Sequence, residues 1–526
     1  MRTIICGVLL ASLAGHPAWA QGKGGKGGKP AQPAPAESEI EASAEALSLA
    51  EVFQVAVRVA PALEHAAYDV ASAEARLTGS KGAEDFVITA TGDVSRTKGA
   101  PSGTPPQGSR FDSARATLSI RRLLPTNGTL ELIGASGRTT NEGPDFTTPM
   151  DATDTVVTDT YETSVKLRLT QPLLKGFGPA AVDRNTEVAK HGRNATVIRR
   201  SATARSFAAQ LVEAYWRLAL AWRELEVSRA SLAAVSKQLT GIERAVRTGA
   251  LARSELLPIE TAIAGRQQDI LTAELGVLSR SIELRKLAGL EINPDSLAIR
   301  TAELPEPDTV ELEVKAYVAR AIETSDELKA AVEDSRGSQA QLAGSRRDLL
   351  PRLDLRVEGG PVGAGAFLSQ STERFGKATG YTVNANLTFE LPVGRHGVRG
   401  TYDADRYAAL RFAHEVHDTR ATVAAEVART VYQAKQSRLA ISLGEKAVKL
   451  AVASVEAEEK KFDLGKSTTT EIVRKQEELN TARLRHASSV AEYVIARAQL
   501  DAATGTILGS YGITIGDYRE AIASDR

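Results

Sequence analysis

Gly249-Ala250-Leu251-Ala252-Arg253-Ser254-Glu255 and Gly465-Lys466-Ser467-Thr468-Thr469-Thr470-Glu471 are one phrase used twice, a glycine followed six residues later by a glutamate. A further glycine closes each copy at Gly289 and Gly505, so the offset is constant: 465 − 249 = 216 and 505 − 289 = 216. Upstream it drifts to 432 − 215 = 217 between Tyr215 and Tyr432, and to 392 − 172 = 220 between Pro172 and Pro392. A duplication of this length is one structural unit used twice in the chain. Its repeated phrase reads as the turn of a helical hairpin, the glycine supplying a backbone conformation that other residues resist.

The ends and the composition narrow the class. Met1 to Ala20 carries one Arg, an apolar run from Ile4 to Leu13, and Ala18-Trp19-Ala20 before Gln21, the pattern of a secretory signal. Cys6, the single cysteine, lies in that segment and lacks a lipobox context, so the mature chain has no disulfide, thiolate metal site or lipid anchor on cysteine. Residues 21–44 are rich in Gly, Lys, Pro and Ala and read as a solvated leader that cannot bury a core. The glycines and lysines of that leader lack the Ser/Thr and strand-to-helix context of a phosphate loop, so the chain encodes no ATP motor. No stretch is apolar enough for a membrane-spanning helix, and a formal net charge of zero gives no pull toward nucleic acid.

Between Ala180 and Val246 there is no proline, and Phe207, Leu211, Tyr215, Leu218, Trp222, Leu225, Leu232, Leu239 and Val246 recur at steps of three, four or seven. This is the narrow seam of a coiled coil, over a helix of about 100 Å. Thr401 to Phe462 repeats it, and shorter helices are expected over Glu255 to Leu287, Glu471 to Ala503, Ala62 to Leu77 and Asp326 to Leu342. Period-two segments lie between: Tyr161 to Gln171, Tyr381 to Leu391, Arg352 to Glu358 and, more weakly, Phe86 to Ser95. Each has one apolar and one polar face over about ten residues. Such strands are too few to bury an apolar face alone, and a secretory signal delivers them to an envelope. A transmembrane barrel has this alternation, and in lipid its open edges must be closed by other chains.

Leu169-Thr170-Gln171-Pro172-Leu173-Leu174-Lys175-Gly176-Phe177-Gly178, Ala214-Tyr215-Trp216, Phe462-Asp463-Leu464-Gly465 and the run Tyr493 to Thr506 resemble the TolC-type outer-membrane efflux proteins, over Leu47 to Leu508. The resemblance implies an α+β membrane protein, a homotrimer whose transmembrane β-barrel continues into a long periplasmic α-helical coiled-coil tunnel, with two structural repeats per protomer. It implies as partners a periplasmic adaptor and an inner-membrane transporter, and as setting the lipid of a Gram-negative outer membrane. The expected division is a signal peptide at 1–20, a leader at 21–44, repeat one at 45–292, a linker at 293–310, repeat two at 311–508 and a tail at 509–526. Gln171, Pro172 and Pro392 fall at strand-to-helix junctions. The resemblance places Gly249, Leu251 and Gly465 at adaptor-contacting turns, with Leu251 expected as an exposed apolar contact. The resemblance also implies that Glu255, Phe462, Ser467, Glu471 and Arg474 surround the periplasmic aperture, with three copies of Glu471 converging on one axis.

Several positions depart from the family pattern. Arg474 replaces a second acidic ring and at i+3 can pair with Glu471. Phe462 stands in place of a tyrosine and Ser467 in place of an arginine, so the expectation is a gate held by apolar packing of Phe462 and by the Glu471/Arg474 pair. Thr468 and Glu471 also fit a capping box, which is compatible with a gating role. An extra alternating pair, Ala114 to Ile120 and Thr129 to Ala135, is joined by Leu124-Pro125-Thr126-Asn127-Gly128. It either joins the barrel wall, giving six strands per protomer instead of four, or folds into or over the pore. Surface loops are expected at Lys98 to Arg110, Thr139 to Thr160 and Pro361 to Gly380, the second acidic and read as solvated.

An enzyme has no support: His414-Glu415-Val416-His417 has the wrong spacing for a zinc protease, and no nucleophile and base pair is apparent. No cofactor or metal is expected. The readings that remain are an efflux duct, the outer channel of a type I protein secretion system, and a periplasmic coiled-coil scaffold. Heat-modifiable migration and extraction only by detergent are expected for either channel; release in a soluble fraction would favour the scaffold.

Overall fold

The computed structural model describes residues 44–99, 110–144, 155–249, 251–294, 296–305 and 311–513. The signal peptide, nearly all of the leader, the centres of the first two expected surface loops, part of the linker and most of the tail lie outside the described residues. Strand β1 (Glu45–Ala46) is followed by helices α1 (Leu49–Val59) and α2 (Pro61–Lys81). Four strands come next: β2 (Val87–Lys98), β3 (Arg110–Leu123), β4 (Thr129–Pro144) and β5 (Thr155–Pro172). A short helix α3 (Pro179–Val182) leads into α4 (Arg184–Arg247) and α5 (Leu256–Ala288). After β6 (Ile299–Arg300) come α6 (Val314–Thr324), α7 (Asp326–Asp348), β7 (Arg352–Gly365), α8 (Leu368–Gly376) and β8 (Gly380–Glu390), then α9 (His396–Asp463), α10 (Thr469–Ala503) and α11 (Ile507–Ser510).

The two long helices run 64 and 68 residues, close to the expected 100 Å. Each packs against its own return helix, α4 with α5 and α9 with α10. Beyond those, α2 lies on α4, and α7 lies on both α4 and α9. The exact offset of 216 also corrects one equivalence. Tyr215 is fully buried, but Tyr432 is exposed; the buried counterpart is Val431, since 431 − 215 = 216.

The largest core gathers where the repeats meet. Phe207, Leu211, Tyr215, Leu218, Trp222 and Leu225 of α4 pack with Val52 and Phe53 of α1, Leu284 of α5 and Ile299 of β6. The segment between the repeats is no free connector, because β6 pairs in parallel with β1. Tyr215 donates its hydroxyl proton to Leu47 O (3.0 Å) and accepts from Ala302 N (2.8 Å), while Trp222 Nε1 donates to Ile299 O (2.8 Å). Arg285, almost wholly buried, donates to the carbonyls of Leu297 (3.1 Å), Glu291 (3.0 Å) and Ser296 (2.8 Å) and to the Glu45 carboxylate (3.2 Å). Gly289, at φ +70°, ends α5 where an added Cβ would stand 2.8 Å from Val59 O.

The remaining six strands form one antiparallel sheet in the order β2-β3-β4-β5-β7-β8. The extra hairpin is therefore laddered between β2 and β5, and the alternative in which it folds away from the sheet is not what forms. Register aligns Ile88, Ile120, Leu132, Leu167, Gly359 and Val383 in one row across all six strands. The opposite face carries Glu131, Arg168, Glu358 and Asn384 in one row, with Arg168 bonded to Glu358 (2.7 Å) and Glu131 (3.1 Å). The third expected loop is largely structured: β7 continues to Gly365 and α8 lies over β7 and β5. Ser371 is held by Thr163 Oγ1 (3.0 Å) and Gly363 O (2.9 Å), and a Cβ at Gly363 would stand 2.1 Å from Ser371 O.

Arg285→Lys keeps the charge but loses the planar fork, leaving buried carbonyls without donors. It is expected to destabilise the region where β1 and β6 cross the largest core by about 2 kcal/mol. A lowered thermal midpoint in detergent, followed by circular dichroism, checks this; an unchanged midpoint would show the clamp to be dispensable.

Candidate functional site at the hairpin turns

Both turns form as the repeated phrase requires. Gly249 has φ +77° and Gly465 φ +70°, and an added Cβ would meet nothing within 4 Å at either. The requirement is thus conformational, not steric. At the second turn Gly465 N donates to Phe462 O (2.8 Å) and Lys466 N to Lys461 O (2.8 Å), which satisfies the last carbonyls of α9. The first return helix is entered through a tight turn at Arg253–Glu255, with Glu255 at its N-terminal boundary.

Phe462 crosses from the second hairpin to the first. It packs on the cluster of Val235, Ile242 and Ile259, together with Leu239, Val246 and Leu251. Leu251 is accordingly half-buried in that cluster and is not the exposed contact expected from its place in the turn. At the second turn Leu464 is exposed, 72% accessible.

Glu471 pairs with Arg474 at 2.6 Å, and Arg474 also reaches Glu478 at 2.9 Å. Hydrogen bonding to Glu471 raises the Arg474 pKa. The Thr468 capping box does not form, since Thr468 makes no side-chain cap bond; the Glu471 carboxylate is turned toward Arg474 instead. The same motif does close at Ser48 and Glu51, where no arginine competes at i+3 from the glutamate.

Ser467 hydrogen-bonds to Glu458, which also pairs with Lys461 at 2.9 Å. Sequence reading missed Glu458, although the repeat offset points to it. Leu251 corresponds to Ser467 and Ile242 to Glu458, because 467 − 251 = 216 and 458 − 242 = 216. One turn closes with an apolar pair and the other with a polar pair at the same two positions. The Ser467 hydroxyl, and then Lys461, hold the Glu458 carboxyl below the usual carboxylate range.

At the other end of the long helices, Pro172 ends β5 and Pro392 lies just after β8. The chain then turns through Gly176 and Gly178 in one case and Gly394 and Arg395 in the other, all at positive φ. Gln171 has a specific partner. It accepts from Thr126 Oγ1 (2.7 Å) and donates to Thr126 O (3.1 Å), while Asn127 Nδ2 donates to Gly176 O (2.8 Å). The turn of the β3–β4 hairpin is thereby fixed to the strand-to-helix junction.

Among the described residues there is no group of three or more side chains suited to a metal ion, and no helix long and apolar enough to cross a membrane.

No curated protein matches the chain by sequence. Solved structures share its fold. The CmeC outer membrane channel of Campylobacter jejuni superposes with a TM-score of 0.65 at 13% identity, over 91% of this chain and 89% of that one. The outer membrane protein VceC of Vibrio cholerae gives 0.61 at 14% over 89% and 97%. The open state of the Neisseria gonorrhoeae MtrE outer membrane channel gives 0.62 at 14% over 89% and 90%. The outer membrane efflux protein model matches residues 129–290 and 318–506, more than half of the chain and both copies of the hairpin. The chain belongs to the outer membrane efflux protein family and is a protein of the outer membrane reaching into the periplasm.

Proposed function

We propose that the protein is the passive outer-membrane exit duct of a tripartite efflux system. Three copies close a barrel and a helical tunnel, and substrates arrive from an inner-membrane transporter through a periplasmic adaptor. The observation that carries this reading is the apolar surface that one chain leaves uncovered. On α9, Tyr432, Leu439, Leu443 and Leu450 are all more than half exposed, at steps of seven, four and seven. On α5, Leu257, Leu271 and Leu275 are equally exposed. Regular stripes of this kind belong against neighbouring helices, and two further copies supply them.

In this reading the hairpin turns are the periplasmic end. Gly249, Leu251 and Gly465 shape the surface that meets the adaptor, and Leu464 supplies its apolar contact. The aperture is closed by Phe462 packed on the first hairpin, with Glu255, Ser467, Glu471 and Arg474 around it. Arg474 partly neutralises each Glu471, so cation selectivity is weaker than for a doubly acidic ring. A type I secretion channel would use the same duct, since the transporter selects the cargo. Cross-linking to the inner-membrane partner separates the two.

Phe462→Ala is expected to remove about 2 kcal/mol of closed-state packing, shifting the closed-to-open ratio roughly thirtyfold toward open. Single-channel recording in planar bilayers reads this as longer open dwell; unchanged gating would remove Phe462 from the latch. Arg474→Asp should raise cation over anion permeability, and Glu471→Gln should lower it. If reversal potentials match those of the parent channel in both variants, the aperture lies elsewhere.

Acid should loosen the second turn. The Glu458 pKa is depressed in the folded state, so its contribution is present above the ordinary carboxylate pKa and is lost as pH falls through the folded value. Hydrogen exchange around Gly465 is expected to accelerate in that window, and less so in Ser467→Ala, where the shift is smaller from the start. Equal pH dependence in the two proteins would assign the effect to other groups.

A further inference from the structure

We infer that the β3–β4 hairpin is part of the lipid-facing wall, so that the outer-membrane barrel has 3 × 6 = 18 strands. The number of copies rests on the trimeric channel proposed above; the place of the hairpin rests on three separate observations.

The first is pairing. β3 and β4 are laddered along most of their length to each other and to β2 and β5, which leaves the outer edges of β2 and β8 as the two ends of the described sheet. Because β2 leads away from the helical body and β8 leads back into α9, β8 of one copy meets β2 of the next in the antiparallel sense. An even number of strands per copy keeps that closure intact. In lipid each edge must find such a partner.

The second is the face. Ala114, Ala116, Leu118 and Ile120 of β3 and Leu130 and Leu132 of β4 share the face of Ile88 and Val94 on β2 and of Leu167 and Leu169 on β5. Leu118 is 53% and Leu132 45% exposed, a cost in water that lipid removes. The other face of the hairpin offers Thr117, Ser119, Arg121 and Glu131, which suits a wet lumen. On β8 this apolar face runs from Tyr381 to Phe389, 389 − 381 = 8 steps or about 26 Å with an aromatic ring at each end, the height and girdles of a lipid-facing band.

The third is the turn. β3 passes into β4 through Leu124 to Gly128 with no helix between them, and the hairpin closes at the level where β5 passes into α3 and α4. There Thr126 and Asn127 bond Gln171 and Gly176, and Asn127 takes the positive φ of +63° that a tight hairpin turn needs. Two strands per copy are thus added without a helix beneath them, and the rim is sealed by side-chain bonds.

Without the hairpin each copy would contribute four strands and the barrel twelve. Barrel diameter grows about linearly with strand number, so eighteen strands widen it about 1.5-fold and its cross-section about twofold. The barrel then ceases to be the size filter, and selection by size falls to the helical end.

The test uses the full-length trimer in liposomes containing brominated phospholipid, with a small fluorophore on single cysteines. Val383→Cys on β8 is the reference, Leu118→Cys and Leu132→Cys report the hairpin's apolar face, and Thr117→Cys and Ala135→Cys its polar face. Bromine quenching at Leu118 and Leu132 within about twofold of that at Val383, with little at Thr117 and Ala135, is the expected result. Quenching at Val383 but not at Leu118 and Leu132 would overturn the eighteen-strand wall and leave the channel intact. Equal quenching on both faces of the hairpin would overturn it as well. No quenching at Val383 would refute the membrane barrel itself and the inference with it.

Discussion

A sheet with one apolar face and two open edges cannot rest in a membrane as a single chain. Each backbone N–H and C=O on the free edges of β2 and β8 would cost several kcal/mol in hydrocarbon. The rest of the molecule is arranged around that constraint. The strands alternate so that one face suits lipid and the other water, and the helices beneath carry leucine stripes that also lack cover within the chain. Sheet and helices make the same demand at different heights, and the three-copy association proposed above would meet both.

A waist, the core on α4 from Phe207 to Leu225, braces the molecule between the sheet and the turns. There the largest apolar core is crossed by β1 and the segment around β6, whose backbone groups are satisfied by Tyr215, Trp222 and Arg285. Buried backbone in irregular segments is costly unless each group finds a partner, and three side chains from α4 and α5 provide them. The turns carry a much smaller core. Between the two turns the described apolar contact is one small cluster through Phe462, and the Glu471–Arg474 pair is an exposed one that contributes little in water.

Much of this was legible in the residues. The seam from Phe207 to Val246 and its repeat implied the two long helices, and the turn glycines implied hairpins, because both signals depend on local periodicity and backbone conformation. The pairing of Glu471 with Arg474 followed from i+3 spacing. Other features depended on who else was near. Leu251 looked exposed from its place in a turn and is half-buried, because Phe462 arrives from 211 residues away, 462 − 251 = 211. The Thr468 capping box fits the motif but loses Glu471 to an arginine. Glu458 gave no signal of its own; only its equivalence to Ile242 marks it.

The sequence by itself determined the periodicities, and with them the class of fold: two helical hairpins, strands with one apolar face, and a duplicated frame. These properties are set by neighbours three, four or two residues apart. Tertiary structure alone decided where the Thr129 hairpin goes, which of Tyr215 and Tyr432 is core, and how each turn is latched. Those outcomes depend on contacts between segments far apart in the chain, for which alternation and helical pitch carry no information. A strand pattern states which face is apolar, but only pairing states which strand lies beside it.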